Sequence, residues 1–264
     1  MQNVLLLQKP VSLTPLQVIE QFKIVHPEYK NEKLGYAGRL DPMAEGLMLV
    51  LVGEENKKRK EYEALPKTYE FSVLFGVATD TYDVMGILER DSGVATLRRM
   101  TIEEKIKALL PTYLGKKKQP YPPYSSRTVK GKPLYYWARI GKLAEIVIPT
   151  KEIEIYELTM LGSEVIEAQT LYTTIIDRIT NVQGDFRQEE ILENWKKFFH
   201  AQPLGLKRKF SVAHFSVSCS SGTYVRSLAN QLGKDLGGSS LAFAIKRVKI
   251  GDYIISSEHI LPTI

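Results

Sequence analysis

The first segment that could carry chemistry is a glycine-rich stretch around Asp41, at residues 33–46. Its three glycines and Pro42 predict a shaped loop, and a proline pushes the residue before it towards extended backbone. Asp41 is therefore a carboxylate held on a stiff loop, which makes it a candidate catalytic group. Spacing alone leaves an alternative open, and it is the commoner one: a turn aspartate that hydrogen-bonds to its own backbone.

Two further segments contribute aromatic and basic side chains. Tyr69 opens a predicted strand that ends near Gly76, where an aromatic residue usually belongs to the core. Residues 122–132, PPYSSRTVKGK, interleave prolines, a tyrosine and cations that include Arg127 and Lys130. Such a composition can stack bases and hold phosphates, although a solvated basic loop explains it equally well.

The last such segment, residues 219–229, predicts the end of a strand, a turn at Gly222 and the start of a helix. Helix N-termini favour anions, and Tyr224 and Arg226 lie in the first turn, beside any carboxylate or phosphate that docks there. The alternative is that Arg226 merely pairs with a surface acid. Cys219 is interpreted as a small buried strand residue, because nothing near it would lower the pKa of its thiol.

The elements that must position these segments mix helices and strands without a strict βαβ rhythm. A helix is expected to begin at Thr14, with Pro15 in its first turn, and a capping pair at Thr101 predicts another helix. Residues from about 163 to 208 contain an amphipathic helical pattern, which we interpret as an insertion ahead of the last strand. The pattern favours an α+β fold in a single domain over residues 1–264.

Composition narrows the class of protein. The 264 residues carry a formal charge of +6, which favours a polyanionic partner. No apolar run approaches the roughly 18 residues of a membrane span, and the N-terminus lacks the features of a signal peptide. One cysteine excludes an intramolecular disulfide, and four scattered histidines argue against a zinc site. We therefore expect a cytoplasmic protein that binds no membrane and no metal.

Taken in order, these segments resemble the TruB family of tRNA pseudouridine synthases. That family opens with a Lys-Pro pair ahead of a helix, and its signature loop reads G-H-x-G-T-L-D-P-x-A-x-G. The resemblance covers most of residues 4 to 260. The positions that carry it are the pair Lys9-Pro10, the loop 35–46 (GYAGRLDPMAEG), the K-x-Y strand 67–69, the segment 76–86 (GVATDTYDVMG), residues 122–131, the segment 219–229 (CSSGTYVRSLA) and the late element Ile245-Lys246-Arg247.

The resemblance implies a pseudouridine synthase fold, in which helices flank a central mixed, mostly antiparallel sheet with a catalytic cleft. It also implies an isomerase that needs no cofactor and no metal. It assigns the catalytic carboxylate to Asp41 and an ion pair with that carboxylate to Arg226. Tyr69 would lie against the base and help to remove its C5 proton, and Tyr224 and Ile245 would line the base pocket.

The implied substrate is tRNA, modified at the T-loop uridine of position 55. We expect recognition of the T stem-loop without a guide RNA, by a monomeric enzyme. The basic residues expected to contact the RNA backbone include Lys9, Arg127 and Lys130. Two alternatives stay open: another structured RNA as substrate, and a catalytically weak tRNA-binding chaperone on the same scaffold.

Two positions of the signature loop depart from the family pattern. Tyr36 stands where the family has histidine, so an aromatic face for stacking is kept without a positive charge. Arg39 replaces threonine two residues before Asp41, where it would approach phosphate or the carboxylate itself. We expect no counterpart of the family's C-terminal RNA-binding module, called PUA, and therefore lower affinity for the acceptor side of tRNA.

Overall fold

The fold is an α+β arrangement built around one large sheet. The computed structural model describes residues 2–91, 99–201 and 207–254. Within these ranges the strands are β1 (Val4–Lys9), β2 (Leu34–Ala37), β3 (Ala44–Val52), β4 (Lys67–Phe75), β5 (Val77–Thr79), β6 (Leu88–Asp91), β7 (Gly115–Pro120), β8 (Thr128–Val129), β9 (Lys132–Pro133), β10 (Thr150–Glu167), β11 (Lys209–Cys219), β12 (Ser240–Ile250) and β13 (Tyr253–Ile254).

Seven strands of the large sheet lie side by side in the order β1-β3-β12-β4-β11-β10-β7, while β2 pairs with β3 and β13 with β12. Neighbouring strands are antiparallel, except that β12 runs parallel to β3. The predicted mixed, mostly antiparallel sheet is therefore confirmed. Its centre is the β4–β12 pair, in which Tyr69 lies opposite Arg247 and Phe71 opposite Ile245.

Local sequence signals explain where the first helix begins. The Thr14 hydroxyl accepts a hydrogen bond from the Gln17 backbone N–H at 3.3 Å, and the Gln17 side chain accepts one from the Thr14 N–H at 2.7 Å.

The predicted start at Thr101 is wrong, because that helix already begins at Arg99. The helices are α1 (Pro15–Val25), α2 (Arg59–Ala64), α3 (Arg99–Leu109), α4 (Leu134–Arg139), α5 (Ala168–Thr180), α6 (Gln188–Ala201) and α7 (Val225–Asp235).

Helices cover both faces of the sheet, because alternate residues of its central strands are apolar on each side. On one face α3 and α7 pack over a core that includes Phe71 and Phe215, whose rings stack at 5.2 Å. On the other face α5 and α6 pack over Leu74 and Val212. The buried Trp195 indole on that side donates to the Val84 carbonyl at 3.0 Å, so its polar atom is satisfied.

The amphipathic helix predicted between about 163 and 208 is present as α6, and α5 precedes it, whereas residues 163–167 belong to the strand β10. The apolar side of the amphipathic pattern in α6 faces the core: Ile191, Trp195 and Phe199 form a stripe in which each residue is at most 1% exposed. That this segment is an insertion, and that the whole chain is one domain, stay predictions. Among the helices within the described ranges, none has the length and apolar character that a membrane span requires.

Candidate active site

A cleft of about 710 Å³ opens beside the central strands β4 and β12. Segments distant in sequence line it: the loop between β2 and β3, the loop after β7, the turn between α5 and α6, and the N-terminus of α7. The fold brings the three predicted catalytic residues, Asp41, Tyr69 and Arg226, together in this cleft. The predicted base-pocket residues Tyr224 and Ile245 line the same cleft.

The loop that carries Asp41 is anchored on both sides. The Pro42 carbonyl accepts a hydrogen bond from the Ser12 N–H at 2.8 Å. Gly46 has a φ of 107°, and a Cβ atom there would lie 2.3 Å from the Arg247 carbonyl oxygen on the parallel strand β12. Only glycine tolerates both conditions, so the close contact of β3 with β12 fixes the far end of the loop.

Lys9 supports this loop from below, which corrects the prediction that it contacts RNA. Its side chain is fully buried, and its Nζ donates to the carbonyls of Pro10 at 2.7 Å, Pro42 at 3.3 Å and Ala44 at 2.5 Å. Burial lowers the pKa of the Lys9 ammonium to about 7. The prediction of an RNA contact is wrong because this group has no exposed surface and its donors are already used.

Arg226, from the first turn of α7, lies beneath the cleft with its side chain 4% exposed. Its Nε donates to the Asp41 carboxylate at 2.8 Å, so the predicted ion pair is present. Its Nη1 and Nη2 donate to the carbonyls of Thr81 at 2.5 Å and Tyr124 at 3.4 Å. A planar guanidinium held on three sides has a single orientation, and this fixes the direction of the Asp41 carboxylate.

A second carboxylate, Asp83, shares the guanidinium of Arg226 at 3.6 Å. Its Oδ1 accepts hydrogen bonds from the Thr81 hydroxyl at 2.8 Å and the Met85 N–H at 2.9 Å. Burial raises the pKa of Asp83 to about 6, while the Arg226 charge opposes the shift. The side chain of Asp83 is 7% exposed and that of Asp41 is 38% exposed, so of the two carboxylates that Arg226 contacts, Asp41 is the one open to the cleft.

Tyr69 forms part of the cleft wall next to a second buried arginine. Arg247, 1% exposed, lies opposite Tyr69 and donates to the carbonyls of Leu47 at 2.8 Å and Gly38 at 3.2 Å. Arg247 therefore joins β12 to the loop that carries Asp41. Burial raises the pKa of the Tyr69 hydroxyl, which stays protonated at neutral pH.

Tyr224 and Ile245 give the cleft an apolar wall. Tyr224 precedes α7, and the side-chain amide of Gln119 both accepts from its N–H, at 2.8 Å, and donates to its carbonyl, at 3.1 Å. Its ring meets Tyr121 edge to face at 5.6 Å. Ile245 is 8% exposed and lies opposite Phe71 in the central strand pair.

The other predicted substrate-binding residues lie at or beyond the edge of the cleft. Arg39 is exposed, lines the cleft and donates to the Ser126 hydroxyl at 2.8 Å. Arg127 is exposed outside the lining, with its guanidinium carbon 5.3 Å from the ring centroid of Tyr121. Lys130 also lies outside the lining and donates from an exposed position to a backbone carbonyl at 3.2 Å. Their contacts with RNA stay predictions.

Tyr36 lies outside the cleft lining, on β2. Its half-buried ring packs against the apolar cluster beneath α1, which includes Phe22 and Val50. The guanidinium of Arg59 covers the ring, with 5.4 Å between its central carbon and the ring centroid. The prediction that Tyr36 contacts RNA is not tested by this arrangement.

Among the cleft residues absent from the predicted set, three charged side chains bear directly on the arrangement of the site: Asp83, Arg247 and Arg187. The first two belong to quoted motifs, and Arg247 falls on the same alternating face of β12 as the apolar Ile245, which is a usable signal. Arg187 lies in a turn whose sequence does not indicate contact with the cleft. In the part of the chain that the structure describes, no group of three or more His, Cys, Asp or Glu residues is placed to hold a metal ion.

Comparison with known proteins gives the family. The model of the N-terminal domain of TruB family pseudouridylate synthases matches residues 26–175. A protein named tRNA pseudouridine synthase B from Aquifex aeolicus is 31% identical over 253 residues, which are 96% of this chain and 69% of that protein. Proteins of the same name from Caldicellulosiruptor saccharolyticus and Rhizobium etli are each 30% identical, over 97% and 88% of this chain and 70% and 58% of their own lengths.

Solved structures agree on the fold. An H/ACA RNP bound to a substrate RNA containing 2′-deoxyuridine aligns with a TM-score of 0.53 at 16% identity, over 97% of this chain and 50% of that one. A Cbf5-Nop10-Gar1 complex aligns with a TM-score of 0.53 at 18% identity, over 96% of this chain. This chain spans about half the length of both. From its matched family model and its 31% identity to a named relative, the chain belongs to the TruB family of pseudouridylate synthases.

Proposed function

We propose that this chain isomerises uridine to pseudouridine in tRNA, at the T-loop uridine of position 55. We further propose that it acts in the cytoplasm, as a monomer and without a guide RNA. The observation that carries the proposal is the Asp41 carboxylate, which is partly exposed in the cleft with Arg226 fixed behind it at 2.8 Å. The relatives named tRNA pseudouridine synthase B supply the substrate class.

The reaction rearranges atoms that are already in the substrate. The bond from N1 of uracil to C1′ of ribose breaks, the base turns, and C5 bonds to C1′. C5 then loses a proton and N1 gains one, so nothing is oxidised and no group is imported. An ionised carboxylate can help by adding to the base or sugar, by stabilising a positive sugar, or by removing a ribose proton to give a glycal. We propose Asp41 as the carboxylate for whichever of these roles operates, because it is partly exposed in the cleft.

The cleft wall gives the detached base a confined space. Tyr69, Tyr224 and Ile245 present aromatic or aliphatic surface beside Asp41, which removes water from around the carboxylate and the reacting carbons. Burial keeps the Tyr69 hydroxyl protonated, so it could take up the C5 proton only while passing its own proton on. We therefore assign Tyr69 first to packing against the uracil ring.

The target uridine must flip out of the stacked loop to reach Asp41 in the cleft, because its reacting atoms are covered in a folded stem-loop. Contacts to the flanking phosphates would then hold the RNA at the cleft edge. Arg39 suits such a contact because it is exposed, and its partner in the described part of the chain is the neutral Ser126 hydroxyl and no carboxylate. Arg127 and Lys130, on the neighbouring loop, extend the same basic edge.

The proposal is tested by incubating the purified chain with an unmodified T stem-loop RNA and then mapping pseudouridine chemically. We expect modification at position 55 in a mixture that contains only protein and RNA. The matched controls are the Asp41→Asn variant and a stem-loop with cytidine at the target. Stem-loop binding without any modification would favour the chaperone alternative, and modification confined to another RNA would replace the proposed substrate.

A further inference from the structure

The turn between α5 and α6 reaches into the cleft from a helical layer that otherwise packs behind the sheet. Asp185, Phe186 and Arg187 of this turn line the cleft together with Tyr124 from the loop after β7 and Arg139 at the end of α4. Arg187 has a φ of 64°, a left-handed conformation that is unfavourable for a residue with a side chain. Strain of this kind persists only where surrounding contacts hold the residue in place.

Those contacts are specific. The Nη2 of Arg187 lies 2.9 Å from the Asp80 carboxylate, and both side chains are about one-fifth exposed. The guanidinium carbon of Arg187 lies 4.4 Å from the centroid of the Tyr124 ring. Asp80 is itself fixed, because its Oδ1 accepts from the Ile87 N–H at 2.8 Å and its own N–H donates to the Ile87 carbonyl at 3.0 Å.

The two segments that Arg187 joins are the two that hold Arg226. The carbonyl of Tyr124 accepts from the Nη2 of Arg226, and the carbonyl of Thr81, next to Asp80, accepts from its Nη1. With both terminal nitrogens held, the Nε of Arg226 points at Asp41. Movement of either segment would therefore turn the guanidinium that aims the carboxylate.

We infer that Arg187 is a positioning residue: by joining Asp80 to the Tyr124 ring, it holds the two carbonyls that orient Arg226 and, through Arg226, the Asp41 carboxylate. The α5–α6 turn is then a structural part of the active site. A second link supports this, because Arg139 donates to the Asp185 carboxylate at 3.1 Å and to the Asp185 carbonyl at 2.9 Å. The turn thus contacts both the loop after β7, at Tyr124, and the end of α4, at Arg139.

A direct contact between Arg187 and an RNA phosphate is the competing explanation. The surroundings of Arg187 argue against it, because its charge is balanced by Asp80 and most of its side chain is covered. A phosphate would have to displace a hydrogen-bonded carboxylate and separate the guanidinium from Tyr124. The exposed Arg39 offers a phosphate a partner without that cost.

The test compares Arg187→Gln, Arg187→Lys and Asp80→Asn with Lys197→Gln. The last is a matched control that removes one charge from an exposed ion pair of α6, outside the cleft lining. Single-turnover rate at saturating stem-loop RNA, RNA affinity, melting temperature and the ¹H–¹⁵N resonance of the Arg226 Nε–H are measured for each. The resonance is assigned by its loss in Arg226→Lys.

For Arg187→Gln we expect the rate to fall about tenfold, as a small misplacement of a catalytic group would cause, with affinity changed less than about twofold. The chemical shift of the Arg226 Nε–H resonance should change. Arg187→Lys, which keeps the charge but not the flat contact with Tyr124, should recover part of the rate. The double variant Arg187→Gln with Asp80→Asn should be no slower than the slower single variant, because both remove the same link.

An unchanged rate and an unmoved Arg226 resonance in Arg187→Gln would overturn the inference, and so would weaker RNA binding at an unchanged rate. If Arg187→Gln does not fold, Arg187→Lys and Asp80→Asn are judged by the same two readouts. The kinetic readout rests on the proposed function, but the resonance does not. Without turnover by the wild-type chain the proposed function fails, and the Arg226 resonance alone then decides whether Arg187 orients that residue.

Discussion

Two sets of arginines lie in or beside the cleft, and their surroundings differ. The first set, which we call the floor, consists of Arg226 and Arg247, which are buried and bonded to carboxylates or carbonyls. The second set, the rim, consists of Arg39 and Arg127, which are exposed and contact a hydroxyl and an aromatic ring. The floor fixes the orientation of groups around Asp41, whereas the rim carries positive charge that is free to meet an incoming polyanion.

This contrast divides the expected consequences of substitution. Buried hydrogen-bonded charges act through geometry, so a floor variant should slow the chemical step while RNA still binds. Exposed cations act through phosphate contacts, so a rim variant should weaken binding and reduce its dependence on salt. Substitutions at four positions test whether the floor controls the rate and the rim controls RNA affinity.

The largest effect is expected at the group that the floor aims. Asp41→Asn keeps the shape of the side chain and can still accept from Arg226, but it removes the negative charge. We expect turnover to fall by about a thousandfold or more, as for other essential catalytic groups, with stem-loop affinity retained. The measurement is a single-turnover assay together with filter binding. Near-normal turnover in this variant would show that Asp41 is not the catalytic carboxylate. The proposed role of the floor, which is to orient Asp41, would then be wrong as well.

The next effect is expected at the floor itself. Arg226→Lys keeps one positive charge but cannot serve Asp41, the Thr81 carbonyl and the Tyr124 carbonyl at once. We expect the single-turnover rate to fall about a hundredfold, from misorientation of Asp41, with affinity changed by less than about threefold. Asp83→Asn, which keeps its hydrogen bonds but not its charge, is the matched control and should lose less. A large loss of RNA affinity at a normal rate would mean that Arg226 acts in RNA binding, as the rim arginines are expected to do.

A smaller effect, on a different quantity, is expected at the rim. Arg39→Gln should raise the Kd for the stem-loop about fivefold and lower the slope of log Kd against log salt by roughly one phosphate contact, at an unchanged saturating rate. Lys197→Gln on α6 removes the same charge outside the cleft lining and should change neither quantity. If Arg39→Gln lowers the saturating rate and leaves affinity intact, then Arg39 acts on Asp41 and the division between floor and rim fails.

Much of the fold could be predicted from sequence, because local signals agreed with the tertiary structure. The capping pair at Thr14 and Gln17 starts α1 where expected, and the stripe of Ile191, Trp195 and Phe199 turns its face to the core. The start of α3 was placed too late, since a capping motif in a sequence locates the end of a helix only to within about one or two residues. The order of strands could not be predicted, because pairing between distant segments leaves little local trace.

The candidate site also depends on contacts between distant segments, and most of these contacts could not be predicted from the sequence. Asp41 and Arg226 were paired by resemblance, and their 2.8 Å contact is present. Lys9 was expected to contact the RNA backbone as one of several basic residues, yet it is buried and hydrogen-bonded to the Asp41 loop. Arg187 was missed because its effect depends on Asp80 and Tyr124, which are distant in sequence and meet only in the folded chain.

The smallest effect is expected at Tyr36, which lies on neither the floor nor the rim. Its ring packs against the α1 cluster and its open face is covered by Arg59, so a base could stack there only after Arg59 moved. We expect Tyr36→Ala to slow turnover by no more than about threefold, mainly through lost packing, and Tyr36→His to change it less because an aromatic face remains. Rates and melting temperatures of both variants are compared with the wild-type chain. A tenfold slower Tyr36→Ala variant of unchanged stability would mean that RNA reaches Tyr36, and the rim would then extend along β2 beyond the cleft.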